Sequence, residues 1–337
     1  MLDLLLVLVL AVHLLTVNVA VAGPLFCLWL DWRSDRHGDG FAAACSHRLA
    51  AQSIVSLVLA VLLGFISLGL LWMAYPDAVV RGWSPVPARR WWFGVVEILF
   101  SLACMYAYLR WWQPLGKTAL RRAARYLLPV LATTNVAYHF GFLFAMTAVM
   151  AVRPELAAEP FDFLTLLADR EILARFTHML LACPAVAGAV LMSIGRRLGD
   201  GTIGQDAGAR VITWGARIAL SVTCLQYVAG LYLLIALPEA ARDRLMGGSV
   251  ASTTVFIIAL VATAALTVVL GIASLSGAGR REIGMVHGTL ALVVLLMVGT
   301  RHAALAPLYA QSSETQSAAE QADADSRSSS PGEDPTP

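Results

Sequence analysis

Eight long runs of mostly apolar residues, near 3–30, 48–74, 91–112, 126–151, 171–195, 210–237, 250–276 and 284–308, leave this chain few ways to fold. About 20 residues at ~1.5 Å rise cross the ~30 Å hydrocarbon core of a bilayer, so each run is long enough to span one. In lipid every backbone polar group must be satisfied internally, and over continuous runs of this kind only a helix does that alone. The expected fold is therefore all-α, a polytopic membrane helix bundle with about eight transmembrane helices. Composition agrees: of 337 residues 58% are hydrophobic and 14% charged, against about 45–50% and about 25% in soluble domains. A water-soluble enzyme is excluded. Trp29, Trp32, Trp72, Trp83, Trp91, Trp92, Trp111 and Trp112 fall at or near the proposed helix ends, where an aromatic belt belongs.

Orientation follows from the basic residues on alternate loops. Lys and Arg are denser after helices 1, 3, 5 and 7, above all in the group Arg110, Lys117, Arg121, Arg122 and Arg125 between helices 3 and 4. Cytoplasmic loops carry that excess, so both termini are expected outside, with the bacterial inner membrane as the location. The start of the chain reads as a true span, because Asp3 stands where a leader has its basic region and the apolar run continues past Pro24. The chain divides into residues 1–198, holding helices 1–5; residues 199–310, holding helices 6–8; and residues 311–337. The last stretch is Ser-, Ala-, Asp- and Glu-rich and has no aromatic residue. It reads as a disordered acidic periplasmic tail, since it has too little apolar surface to offset chain entropy.

The formal net charge of +2 gives no reason to expect nucleic acid as a partner. Cys27, Cys45, Cys104, Cys183 and Cys224 form no C-x-x-C pair, which argues against covalent haem attachment, a zinc knuckle or an iron–sulfur cluster. Phosphate-loop, dinucleotide and H-E-x-x-H signatures are missing as well.

The informative residues are the ionisable ones at membrane depth, because each is costly unless it is paired or coordinates something. His13, His139, His178 and His302 lie inside helices 1, 4, 5 and 8. Counted from the outer ends they are roughly 15, 20, 12 and 10 Å deep at ~1.5 Å per residue, all in the outer half of the membrane. Neutral imidazole is the usual protein ligand of haem iron, and four at similar depth fit two b-type haems. The alternative is that each bonds within the bundle. Ala182, Ala185 and Ala189 share a face of the His178 helix, leaving room for a macrocycle or for close helix packing. Asn135 stands one turn before His139 as a partner for its second ring nitrogen. Arg301 suits a haem propionate, and snorkelling to the interface explains it as well. Glu97, six residues into helix 3, reads as a proton-path or haem-linked group, or as an ion-pair partner. Gln226 in helix 6 is a candidate quinone contact or an interhelical bond.

His13 in AVHLLTVNVAVAGPLF, Glu97 in EILFSLACMYAYLRWW, the Asn-containing LLPVLATTNVAYHFGFLFAM and His178 in RFTHMLLACPAVAGAVLM follow one another in an order and spacing that resembles the front half of cytochrome bd oxidase subunit I, over roughly residues 5–197. The resemblance implies haem ligation for His13 and His178 and a haem and proton-pathway role for Glu97. It also implies an outward N-terminus, quinone or quinol as a reactant and other membrane subunits of a respiratory complex as partners. The chain departs from that family between helices 6 and 7: PEAARDRLMGG is far shorter than a long hydrophilic quinol-binding loop, and the Gly-Arg-Gln-Pro-Trp signature is absent. The expectation is thus an electron-transfer subunit, not an oxygen-reducing oxidase, passing electrons between quinone and a periplasmic c-type cytochrome. CSHRLAAQSIVSLVLAVLLG is also similar to a helix start of haem A synthase, with Ala44 where that family has a glutamate. A haem-free structural or transport subunit is the third reading.

Overall fold

The computed structural model describes residues 1–115, 118–157, 163–200, 205–276 and 278–328. Eight of its helices are long and apolar enough to cross a membrane among the described residues, and the protein is a multi-pass helical membrane protein. The spanning elements are α1 (Leu2–His37), α2 (Gly40–Ala74), α4 (Ala88–Leu115), and a fourth span in which α5 (Ala119–Thr134) passes through a π turn at Asn135–Phe140 into α6 (Gly141–Met150). After these come α8 (Arg170–Gly199), α9 (Gln205–Ala236), α11 (Val250–Ser276) and α12 (Arg280–Ser328). Three short helices lie between spans: α3 (Pro76–Trp83), α7 (Phe163–Ala168) and α10 (Glu239–Asp243). The end of the bundle where α1 begins is labelled outer and the opposite end inner, after the orientation expected from the basic residues.

The helices overrun their apolar cores. α1 continues through Asp31 and Asp35 to a left-handed stop at Gly38, with φ 65°; that conformation costs glycine nothing and any side chain something. α2 restarts at once because the Asp39 carboxylate accepts from the Phe41 and Ala42 backbone N–H groups, a cap contributing about 1 kcal/mol. α12 runs to Ser328, past residue 310 where the composition leads one to expect disorder; SAAEQADAD is made largely of good helix formers continuing an existing helix. Residues 329–337 lie outside the described chain.

Packing divides the bundle into two groups of four spans. α1, α2, α4 and α5–α6 adjoin one another, and so do α8, α9, α11 and α12, with α1 touching α8 and α12 across the divide. α8 and α9 approach most closely. A Cβ on Gly188 would lie 2.7 Å from the Gly215 carbonyl, and one on Gly195 would meet Val211 at 3.0 Å. Ala185 and Ala189 are buried, and Ala189 packs into a core shared with Val19, Ala216 and Leu266. The small stripe of the His178 helix is thus taken up, at that level, by helix packing.

Candidate functional site in the outer half of the bundle

α8 is fixed at its outer end first. Asp169 caps it by accepting from the Glu171 and Ile172 N–H groups, and the buried Glu171 carboxylate accepts from Arg175 Nε at 3.0 Å. Arg153, outside the spans, reaches Asp169 at 3.1 Å and Glu171 at 3.6 Å. These pairs hold the first turns of α8 and set His178 one turn further in.

The His178 ring lies beside α9, where a Cβ on Gly230 would come within 3.8 Å of His178 Cε1. One turn earlier on α9, Gln226 Nε2 donates to the His178 backbone carbonyl at 3.0 Å. His178 Nδ1 is sealed from solvent and has no hydrogen-bond partner among the described residues. A buried polar atom left unsatisfied costs about 1–3 kcal/mol. The Gln226 Oε1 is sealed and unpartnered in the same way.

His13 belongs to the same level. Its Nδ1 is 2.9 Å from the Ala60 carbonyl of α2, and its ring lies on Gly64, where an added Cβ would meet Cε1 at 3.0 Å. A backbone carbonyl on Nδ1 selects the tautomer whose Nε2 carries the lone pair. α1 and α8 run parallel as the first and fifth spans, and Cys183 Sγ donates to Asn18 Oδ1 at 3.2 Å where they meet. His13 and His178 each stand five residues before that contact, so the two imidazoles are level on adjacent helices.

Arg301 of α12 is exposed on its helix. Arg175, Glu171 and Tyr309 act on it electrostatically. No ion pair holds it among the described residues. His302, the next residue, turns elsewhere: Nε2 is 3.4 Å from Asp3 Oδ1 and the ring packs edge-on against Tyr75. Tyr75, between spans, donates to Asp3 at 3.0 Å; burial, then the Asp3 carboxylate, push its hydroxyl up to about 12, so it remains a donor at neutral pH.

The other sequence candidates are spread out. Glu97 is partly buried on α4, one turn from Gly94, which packs against Phe140 of the π turn. His139 lies on that π turn, and its side chain is outside the described residues. Asn135 Nδ2 donates to the Leu131 carbonyl at 2.6 Å, and the partnership with His139 expected from the sequence lies outside the described residues. The structure thus brings Gln226 to His178, while His13 faces α2, Arg301 lies on α12, Glu97 on α4, and His302 packs against Asp3 and Tyr75. Among the described residues no group of three or more His, Cys, Asp or Glu is arranged to hold a bare metal ion.

The inner end of the bundle holds a polar cluster that the sequence reading did not anticipate. Asp31, with no exposed surface, accepts from Tyr108 at 2.6 Å and Trp112 Nε1 at 3.1 Å. It pairs with Arg125 Nε at 3.3 Å. Ser46 Oγ lies 2.6 Å from the Tyr108 hydroxyl, and Arg125 Nη2 continues to Asp35 at 2.7 Å. The signal was present: Asp31 and Asp35 in LWLDWRSD sit past the apolar run, where they read as a loop.

No protein-family model matches this chain, and no curated protein matches it. The fold is similar to that of a chain in the structure of bd oxidase from Geobacillus thermodenitrificans. The TM-score is 0.69, at 13% sequence identity, over 90% of this chain and 86% of that one. The likeness is one of fold. It extends well beyond the stretch 5–197 from which the sequence resemblance was read.

Proposed function

We propose that this protein is a haem-carrying membrane subunit of a bd-like respiratory complex in a bacterial inner membrane. In this reading it moves electrons between the quinone pool and a periplasmic c-type cytochrome. The observation that carries the reading is His178: a ring nitrogen sealed without a partner, at the level of His13, on a helix anchored so that the ring cannot drift. A prosthetic group is the simplest reason to keep such an imidazole at membrane depth. The residues fit a b-type haem. Glycines at 64 and 230 clear the faces of the two rings, the Ala60 carbonyl orients one of them, and Arg301 offers an unpaired guanidinium to a propionate. The haem would supply one-electron chemistry, its iron alternating between ferric and ferrous.

The chain's own contribution is positional. Asp169 and Glu171 fix the outer end of α8, Gln226 ties α9 to the His178 carbonyl, and Ala60 holds the His13 tautomer. His13 and His178 are the proposed iron ligands, each serving one of two haems. His139 and His302 are the candidates for further ligands, and His302 would first have to leave Asp3. Glu97 remains the proposed proton-linked carboxylate.

A specific observation favours a second reading. His13 and His302 both have a protein partner already, as they would in a haem-free structural subunit whose histidines bond within the bundle. Reduced-minus-oxidised visible spectra and pyridine haemochrome analysis of the purified protein decide between them. The proposal expects protohaem bands; their absence establishes the haem-free reading. Rapid, cyanide-sensitive oxygen uptake with a quinol donor would overturn the electron-transfer assignment while leaving haem in place. Truncation after residue 310 tests the outer partner: slower haem reoxidation by cytochrome c at low salt, and less difference at high salt, is expected of an acidic tail that steers a basic protein.

A further inference from the structure

At the inner end of the bundle a cleft of about 670 Å³ opens between the first turns of α2 and the last turns of α4 and α8. Arg48 on α2 and Arg110 on α4 both line it. Both are exposed, and neither has an ion pair among the described residues. No carboxylate is among the lining residues; Asp39, next to the cleft in sequence, is turned into the α2 cap. His47 and Trp112, which also line the cleft, meet edge to face with ring centroids 6.3 Å apart. Gly40, Ala43 and Ala44 form one small-residue face of α2 along the wall, and Leu109 and Leu198 make the rest of it apolar.

We propose that this cleft binds an anionic phospholipid, its phosphate held between Arg48 and Arg110 and an acyl chain lying along the small-residue face. Two unpaired guanidiniums across a cleft with no competing acid form a phosphate site, because each fork can donate two charge-assisted hydrogen bonds. The place is right for a headgroup: all three helices end here, beside interfacial tryptophans, and basic pockets between spans on the cytoplasmic side recognise anionic lipid. The neighbouring cleft on α9, about 420 Å³, makes the contrast. Asp206 lines it alongside Arg210 and Arg217, so its charge is partly answered from within. Trp112 also gives the lipid site a link inward, since its ring lines the cleft while its Nε1 donates to Asp31.

The full-length protein, stripped of lipid in detergent, is titrated with phosphatidylglycerol, phosphatidylcholine and inorganic phosphate, reading bound lipid by native mass spectrometry and thermal unfolding in parallel. Phosphatidylglycerol should be retained and should raise Tm, and phosphatidylcholine and phosphate should do neither. The R48A/R110A variant should bind phosphatidylglycerol roughly tenfold more weakly or worse, while R121A, a cation outside the cleft, behaves as the parent. Should the double alanine variant fail to fold, R48Q and R110Q decide separately, and a loss in either supports the site. Undiminished affinity in both glutamine variants, equal binding of phosphatidylcholine, or an equal Tm rise with inorganic phosphate each overturns the proposal.

Discussion

Asp31 and His178, polar groups buried at opposite ends of this bundle, are treated in opposite ways. At the inner end both oxygens of Asp31 are answered, by Tyr108, Trp112 and Arg125, and the network closes on Ser46 and Asp35. In the outer half His178 Nδ1 and Gln226 Oε1 are sealed without hydrogen-bond partners, and the exposed Arg301 has no ion pair, among the described residues. A charge at membrane depth is tolerated when its surroundings satisfy it, and a group left unsatisfied at a cost is kept for something that arrives later. The inner cluster is therefore read as structure and the outer one as a binding site.

The most decisive break in that comparison is replacement of the histidines. His178→Ala should abolish the bands of one haem, and His13→Ala those of the other, while thermal stability of the apoprotein changes little. Pyridine haemochrome per mole of protein measures the first and a detergent melt the second. Unchanged haem content in both variants would remove the outer half from the list of binding sites.

The inner cluster should respond the other way. Asp31→Ala leaves Arg125, 4% exposed, without its central partner, and breaking a buried pair from one side costs about 3–5 kcal/mol. Removing both in Asp31→Leu/Arg125→Met should cost less than Asp31→Ala alone, because no charge is stranded. Haem content per folded molecule should hold in each. A double variant worse than the single one would mean that the cluster does more than satisfy itself.

How far the sequence carried the reading follows the same division. Spans were legible because hydropathy is a local property summed over some twenty residues. The start of α2 was not, since Asp39 begins that helix at Gly40 by capping, ahead of the apolar run near 48. The π turn at Asn135–Phe140 was hidden too, since a shift of backbone pairing within an apolar helix leaves no trace in a window average. Asp31 and Arg125 are distant in sequence, and only the meeting of α1 with α5 makes them a pair. His13 and His178 could be ranked by depth alone, whereas their level register rests on the Asn18–Cys183 contact.

A smaller effect is expected at Arg301. A cation near haem stabilises the ferrous form, which carries one positive charge fewer, so it raises the midpoint potential. Arg301→Gln should lower the midpoint of one haem without removing its bands, and Arg301→Lys should restore most of the difference. A redox titration that leaves both midpoints unmoved in Arg301→Gln would return this residue to the interface as a snorkelling cation.

Gln226 gives the finest test, because its two roles predict different observables. As a tie between helices it donates one hydrogen bond to the His178 carbonyl, worth about 0.5–1.5 kcal/mol net. Gln226→Leu removes that bond together with the sealed, unpartnered Oε1, so the stability change should be near zero or slightly favourable. The His178 ring should be freer, seen as a broadened or shifted haem band. As a quinone contact, its loss would instead leave the spectrum alone and slow haem reduction by a quinol analogue. Measuring band position and quinol-driven reduction rate on the same sample separates the two. The geometry favours the first outcome, since one of the two amide N–H groups is already committed to the backbone of α8.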